Sequence, residues 1–153
     1  MLFRSLEGQA VTPLDAKMTA HCNRVPVVDG HTECVSIKLG KKLGREARHE
    51  DILAAWEEFR PLAGLGLPSA PEQPIEWAEQ NDRPQPRLDR NRGKGMTVTV
   101  GRLRPCNVLD WKFVLLSHNT VRGAAGATIL NAEMLASLGK LEPAPVAAAR
   151  AED

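Results

Sequence analysis

CNRVPVVDGHTECVSIKL, residues 22–39, is the stretch whose reading decides the fold. Asp29–Gly30 readily supplies the positive-φ positions of a tight turn, and Pro26 rules out a helix interior just before it. After the turn, Cys34, Ser36 and Lys38 alternate with Val35, Ile37 and Leu39, the period-two pattern of a strand. The segment therefore reads as a hairpin, with Arg24 and His31 flanking its turn. A guanidinium fork suits a carboxylate, and an imidazole with a pKa of about 6.5 moves protons near neutrality. A turn between them can bring both side chains to one site. The competing reading is a surface arginine and a turn histidine without chemistry.

Working outward, MTVTVGRLRP (96–105) alternates in the same way and DWKFVLLSH (110–118) grows more buried in character as it proceeds. The turn-like CNVLD (106–110) between them predicts a second hairpin. REARHEDILAAWEEFRPL (45–62) places Ile52, Leu53, Trp56 and Phe59 at helical spacing, with Glu50 and Asp51 at the start and Pro61 as the stop. Residues 61–93, rich in proline, glycine and charge, read as a long connection with a short strand at Ile75–Ala78. Such a length inside a domain is usually functional or wraps another surface. NTVRGAAGATILNAEMLASLG (119–139) predicts a final helix, with Asn119 or Thr120 as N-cap and Gly139 just past its end. The order β-β-α-loop-β-β-α predicts an α+β fold: a mostly antiparallel sheet, a flanking helix and a long C-terminal helix, not a doubly wound nucleotide fold. Residues 1–16 are too weakly patterned to assign, and residues 140–153 read as a flexible tail.

With 153 residues, 42% of them apolar and 25% charged, the chain is long enough for one soluble domain with a core. A formal net charge of +1 gives no reason to expect a nucleic acid or a membrane surface as partner. Tyrosine is absent and aromatics are 4%, which argues against base-stacking platforms. No apolar run reaches the length of a membrane span, and the start lacks the pattern of a signal peptide. Three cysteines, at 22, 34 and 106, make no disulfide framework, so a reducing, cytoplasmic setting is expected.

His21, Cys22, His31 and Cys34 invite a zinc reading, but their intervals do not match paired CxxC spacing. Cys34 and Cys106 are expected as small core residues. GAAG (123–126) opens the final helix with side chains small enough for close backbone approach, and a helix start can bind phosphate; tight helix packing explains it equally well. No GxGxxG follows a strand anywhere in the chain. The basic run KLGKKLGR (38–45) reads as a solvated strand end.

Periodicity and spacing end there, but the wording of three stretches goes further. CNRVPVVDGHTECVSIKL, NDRPQPRLDRNRGKG and GMTVTVGRLRPCNVLDWKFVLLSHNTVRGAAGATILNAEML closely resemble aspartate-semialdehyde dehydrogenase, in its fungal and archaeal branch, from about Lys17 to Leu135. The resemblance implies the C-terminal catalytic and dimerisation domain of a two-domain dehydrogenase, here 17–139, whose final helix at 119–138 would pack on a nucleotide domain. That family reduces 4-phospho-aspartate to aspartate semialdehyde with NADPH, on the route to lysine, threonine and methionine, through an acyl-enzyme on a cysteine.

In the family's R-x-P-x-x-x-x-H segment the arginine grips the substrate carboxylate and the histidine is the acid–base partner of the nucleophile; these are Arg24 and His31. Asn119 to Ala125 resembles the segment that touches the cofactor, which marks Asn119 and Gly123 as NADP-binding residues. The departures matter equally. The family's glycine-rich nucleotide loop, its Asn-Cys nucleophile segment and its phosphate-binding lysine segment are absent here, and Cys22 precedes Asn23 in the reverse order. The expectation is a chain that self-associates as a homodimer or tetramer, needs an N-terminal nucleotide-binding half, and is inactive alone. The alternatives are a non-catalytic dimerisation module or a zinc-binding module.

Overall fold

The computed structural model describes residues 4–7, 10–13, 17–39 and 46–141. The basic run past Leu39 and nearly all of the tail expected over 140–153 lie outside the described residues. Strands β1 (Arg4–Glu7) and β2 (Ala10–Pro13) pair antiparallel as a small sheet of their own, within the segment whose pattern assigns nothing.

The first expected hairpin is present. β3 (Met18–Asn23) and β4 (His31–Ile37) run antiparallel, with Met18 opposite Ile37 and Asn23 opposite Thr32. Their turn closes on Gly30 at φ +108°. A Cβ there would lie 3.1 Å from Leu116 Cδ1 and 3.2 Å from Pro86 Cβ, so the position needs both the backbone freedom and the missing side chain.

The helix expected over 45–62 is α1 (His49–Glu57), shorter than its pattern. Asp51 Oδ2 accepts the Arg48 N–H at 2.7 Å and caps its start. Trp56 rests edge-on against Phe113, ring centroids 5.1 Å apart, and stacks on Trp77 at 6.0 Å, so α1 covers one face of the sheet.

β5 (Ile75–Ala78) is the short strand read in the long connection. After it come the single turn α2 (Pro86–Asp89), then β6 (Val98–Pro105) and β7 (Trp111–Ser117), the second hairpin. β7 also pairs antiparallel with β4, giving the order β3-β4-β7-β6-β5, in which β5 lies parallel to β6 at one edge. The α+β, mostly antiparallel expectation holds. Opposite α1, Leu116 is only 1% exposed and is covered with Gly30 and Pro86. The connection is pinned there by Asp89, whose carboxylate accepts from Arg83, from Arg92 Nε at 2.9 Å and from the Gln85 N–H at 2.7 Å.

The final helix departs from expectation at its start. Thr120 is the N-cap but makes no side-chain cap bond, and Val121–Ala125 form a π-helical turn before α3 (Gly126–Ser137). Its end is as expected: Gly139 at φ +63° donates to Ala136 O at 3.0 Å and Lys140 to Leu135 O at 2.8 Å, a Schellman closure. Leu130 on α3 packs with Leu67 and Met96 into a second small core.

The cysteines correct the core reading. Cys34 is exposed and Cys106 half-buried. Cys34 pairs with His21 on β3, an edge strand exposed from Met18 to Cys22, so no layer closes over that part of the sheet among the described residues.

Candidate active site

β4 begins at His31, opposite Ser117 at the end of β7. That register carries the residues after β7 alongside the β3–β4 turn, and the two segments enclose a cleft of about 220 Å³. Arg24, Asp29, Gly30, His31 and Asn119 line it, together with Val25, Val27 and Val28. The hairpin therefore does bring Arg24 and His31 to one place, and it brings Asn119 with them.

Two contacts join the segments. The Gly30 N–H donates to Asn119 Oδ1 at 2.7 Å, and Thr120 Oγ1 donates to Asp29 Oδ1 at 3.4 Å. Beneath them His118 is 7% exposed; its Nδ1 accepts the Val121 N–H at 3.4 Å and meets Thr120 Oγ1 at 3.2 Å. Pattern marked Asp29 only as a turn residue and Thr120 only as a possible N-cap, and His118 was not singled out at all. Arg24 and His31 are exposed, and Arg24 has no acidic partner among the described residues. Such a cleft can hold a small carboxylate on the guanidinium and exchange a proton with the imidazole.

Gly123 does not line the cleft. It sits on the π-turn, its N–H on His118 O at 2.9 Å, and its surface is open: a Cβ there would meet only His118 O, at 3.6 Å. Gly126 is the glycine of close packing, where a Cβ would fall 2.5 Å from Met96 Sδ. Of the two glycines of GAAG, Gly126 is thus the one whose missing side chain the packing requires.

No cysteine is placed as a nucleophile for His31. The Cys22 thiol lies across from Glu33, which accepts its hydrogen bond; that bond, partial desolvation and the carboxylate charge push its pKa up. Cys106 is the opposite case, its thiol pKa lowered by the Leu109 and Val108 N–H groups. However, it follows β6 at the Trp111 end of β7, six residues of strand, or roughly 20 Å, from the Ser117 end where His31 sits.

The candidate zinc ligands are separated by the pleat. His21 faces the same side as its partner Cys34, while Cys22 and His31 alternate to the other. Among the described residues no group of three His, Cys, Asp or Glu side chains could hold a metal ion. Nor is any described helix long and apolar enough to cross a membrane.

Residues 6–122 match the family described as semialdehyde dehydrogenase, dimerisation domain. The aspartate-semialdehyde dehydrogenase of Archaeoglobus fulgidus is 48% identical over 134 residues, which cover 88% of this chain and 37% of that protein. That of Candida albicans is 49% identical over 133 residues, covering 84% and 36%. The crystal structure of the Candida albicans enzyme with NADP aligns at a TM-score of 0.68 with 48% identity, over 77% of this chain and 33% of that one. The chain thus spans little more than a third of the length of these relatives.

Proposed function

The chain belongs to the semialdehyde dehydrogenase dimerisation-domain family, and on that premise we propose that it supplies the arginine–histidine side of an NADP-dependent aspartate-semialdehyde dehydrogenase active site. The observation that carries the reading is the cleft shared by Arg24, His31 and Asn119. Arg24 holds the carboxylate of the aspartyl substrate through its planar fork. His31 takes the proton of a nucleophilic cysteine and returns one later in the cycle. That cysteine is none of Cys22, Cys34 or Cys106, and it enters the cleft from another segment.

NADP, when bound, exchanges the hydride with the substrate carbon. The residues on this side suit it: Gly123 leaves its backbone open to close approach, and Asn119 places an amide in the cleft beside it. The exposed apolar residues Ile129, Leu135 and Leu138 of the final helix and its end fit a surface covered by a nucleotide-binding half. The same reading places the protein in the cytoplasm, self-associated as a homodimer or tetramer, on the route to lysine, threonine and methionine.

The test is to mix the purified chain with a separately expressed nucleotide-binding half that carries the cysteine. Reduction of NADP that depends on aspartate semialdehyde and phosphate is expected from the mixture, none from this chain alone, and none after Arg24→Ala or His31→Ala. Turnover by the chain alone, or a mixture indifferent to both substitutions, overturns the proposal. A chain that dimerises and folds yet never reconstitutes activity is instead a dimerisation module.

A further inference from the structure

We infer that Asn119 is a positioning residue for the turn that carries Arg24 and His31, acting through its Oδ1 on the Gly30 N–H. Beyond the longer bond from Thr120 Oγ1 to Asp29 Oδ1 at 3.4 Å, the turn has little else to hold it among the described residues. Val25, Val27 and Val28 are exposed, and the backbone bond within the turn, Val27 N–H to Val25 O at 2.9 Å, is local. Gly30 is the exception: it is buried, pressed toward Leu116 and Pro86, and bonded to Asn119 at 2.7 Å across 89 positions of sequence. His31 follows Gly30 directly and Arg24 lies six residues before Gly30, so the bond to Asn119 sets where the chain reverses between the two.

A backbone N–H can only donate, so Asn119 must present its oxygen to Gly30, and both Nδ2 hydrogens remain for the cleft. Asparagine at the start of a helix ordinarily caps it, but here the helix receives no such bond. Its side chain is committed across the cleft instead. Removing the acceptor would strand a partly buried N–H, which costs more than the bond itself contributes. The placement matters because small displacements of substrate-holding groups cost rate steeply. That this placement serves catalysis rests on the function proposed above; the tether itself does not.

The experiment compares Asn119→Ala with Asn119→Asp, whose carboxylate can accept the same bond but cannot donate to a ligand. In the 153-residue chain, hydrogen exchange and ¹⁵N relaxation are read at Gly30 and along 25–30. Asn119→Ala should lose roughly tenfold in Gly30 protection and loosen the turn, with the Val35 and Leu116 amides unchanged. Asn119→Asp should keep both. Unchanged Gly30 protection in Asn119→Ala overturns the tether.

In the reconstituted mixture, Asn119→Ala should lower kcat roughly a hundredfold, while Asn119→Asp should recover about tenfold of that kcat and raise the KM for NADP, because its carboxylate holds Gly30 but offers the cofactor no donor. A loosened turn with unchanged kcat overturns the positioning role. So does an Asn119→Asp variant that keeps the turn ordered yet loses kcat as far as Asn119→Ala, since the lost rate then follows the amide and not the turn. A mixture indifferent to Arg24→Ala and His31→Ala removes the proposed function, while the exchange data still decide the tether.

Discussion

Asp89 presents a carboxylate with no exposed side-chain surface, and Arg83 closes on it through two nitrogens, Nε at 2.7 Å. Arg92 and the Gln85 N–H complete its set, and Arg92 in turn pairs with Glu76 on β5. The carboxylate sits at the end of α2, whose Pro86 lies under Gly30, so a buried charge cluster supports the floor of the candidate active site. Replacing Asp89 by Asn keeps the shape but takes the paired carboxylate from Arg83 and leaves Arg92 with Glu76 alone. Chemical denaturation should show a loss of about 3 kcal/mol, the low end for a broken buried pair because both arginines retain some contact with water. A loss under about 1 kcal/mol would mean that the cluster is held from elsewhere.

The same residue predicts an acid dependence. Burial alone would raise the Asp89 pKa, but the Arg83 hydrogen bond, the Gln85 N–H and the two arginine charges outweigh it and hold the carboxyl below its ordinary value. With a depressed folded-state pKa, its contribution is fully present above the unfolded value of about 3.9 and is lost as pH falls from there through the folded one. Melting temperatures taken from pH 6 down to pH 2.5 should therefore fall most steeply below about pH 4. Asp89→Asn should flatten that fall. An identical pH profile in the variant would assign the acid sensitivity to other carboxylates.

What was legible in the sequence was what local chemistry decides. The Asp29–Gly30 turn, the alternation through Val35 and Ile37, the strand at Ile75–Ala78 and the Gly139 closure all follow from neighbours a few residues away. What was not legible depends on distant partners. Asn119 carries a capping signal, yet its acceptor is spent 89 positions away on Gly30. Cys34 has the size and alternation of a core residue, but alternation does not reveal that β3 is an edge. β5 reads as a strand, while its parallel direction depends on how the chain returns from Ala78 to Val98. The meeting of Arg24 and His31 was legible as a hairpin property; the roles proposed for them came only with the family resemblance.

The cysteines give a contrast that labelling can read. Thiolate is the reactive form, so the raised pKa of Cys22 should slow it and the lowered pKa of Cys106 should favour it. Brief treatment with a thiol reagent near pH 7, followed by peptide mass mapping, should find Cys106 modified before Cys22. Glu33→Gln should speed Cys22 by removing both the charge and the carboxylate acceptor. If Cys22 labels first in the parent chain, the view that Glu33 holds it as an inert thiol fails, and its exclusion as a nucleophile loses its electrostatic support.

The final prediction separates the two glycines of GAAG. At Gly126 a Cβ would lie 2.5 Å from Met96 Sδ and 2.9 Å from Val121 O; the sulfur can move, but the carbonyl is backbone. Gly126→Ala should therefore lose about 1–2 kcal/mol, overpacking outweighing the helix propensity gained. At Gly123 the one neighbour among the described residues, His118 O at 3.6 Å, is an ordinary contact, and φ is not in the left-handed region. Gly123→Ala should leave stability unchanged or raise it by up to about 1 kcal/mol. Under the proposed function the same methyl group stands where NADP approaches the backbone, so in the reconstituted mixture it should raise the KM for NADP with little change in the KM for aspartate semialdehyde. Unaltered NADP dependence in Gly123→Ala, with stability intact, would remove Gly123 from the cofactor surface and leave Asn119 to stand there by itself.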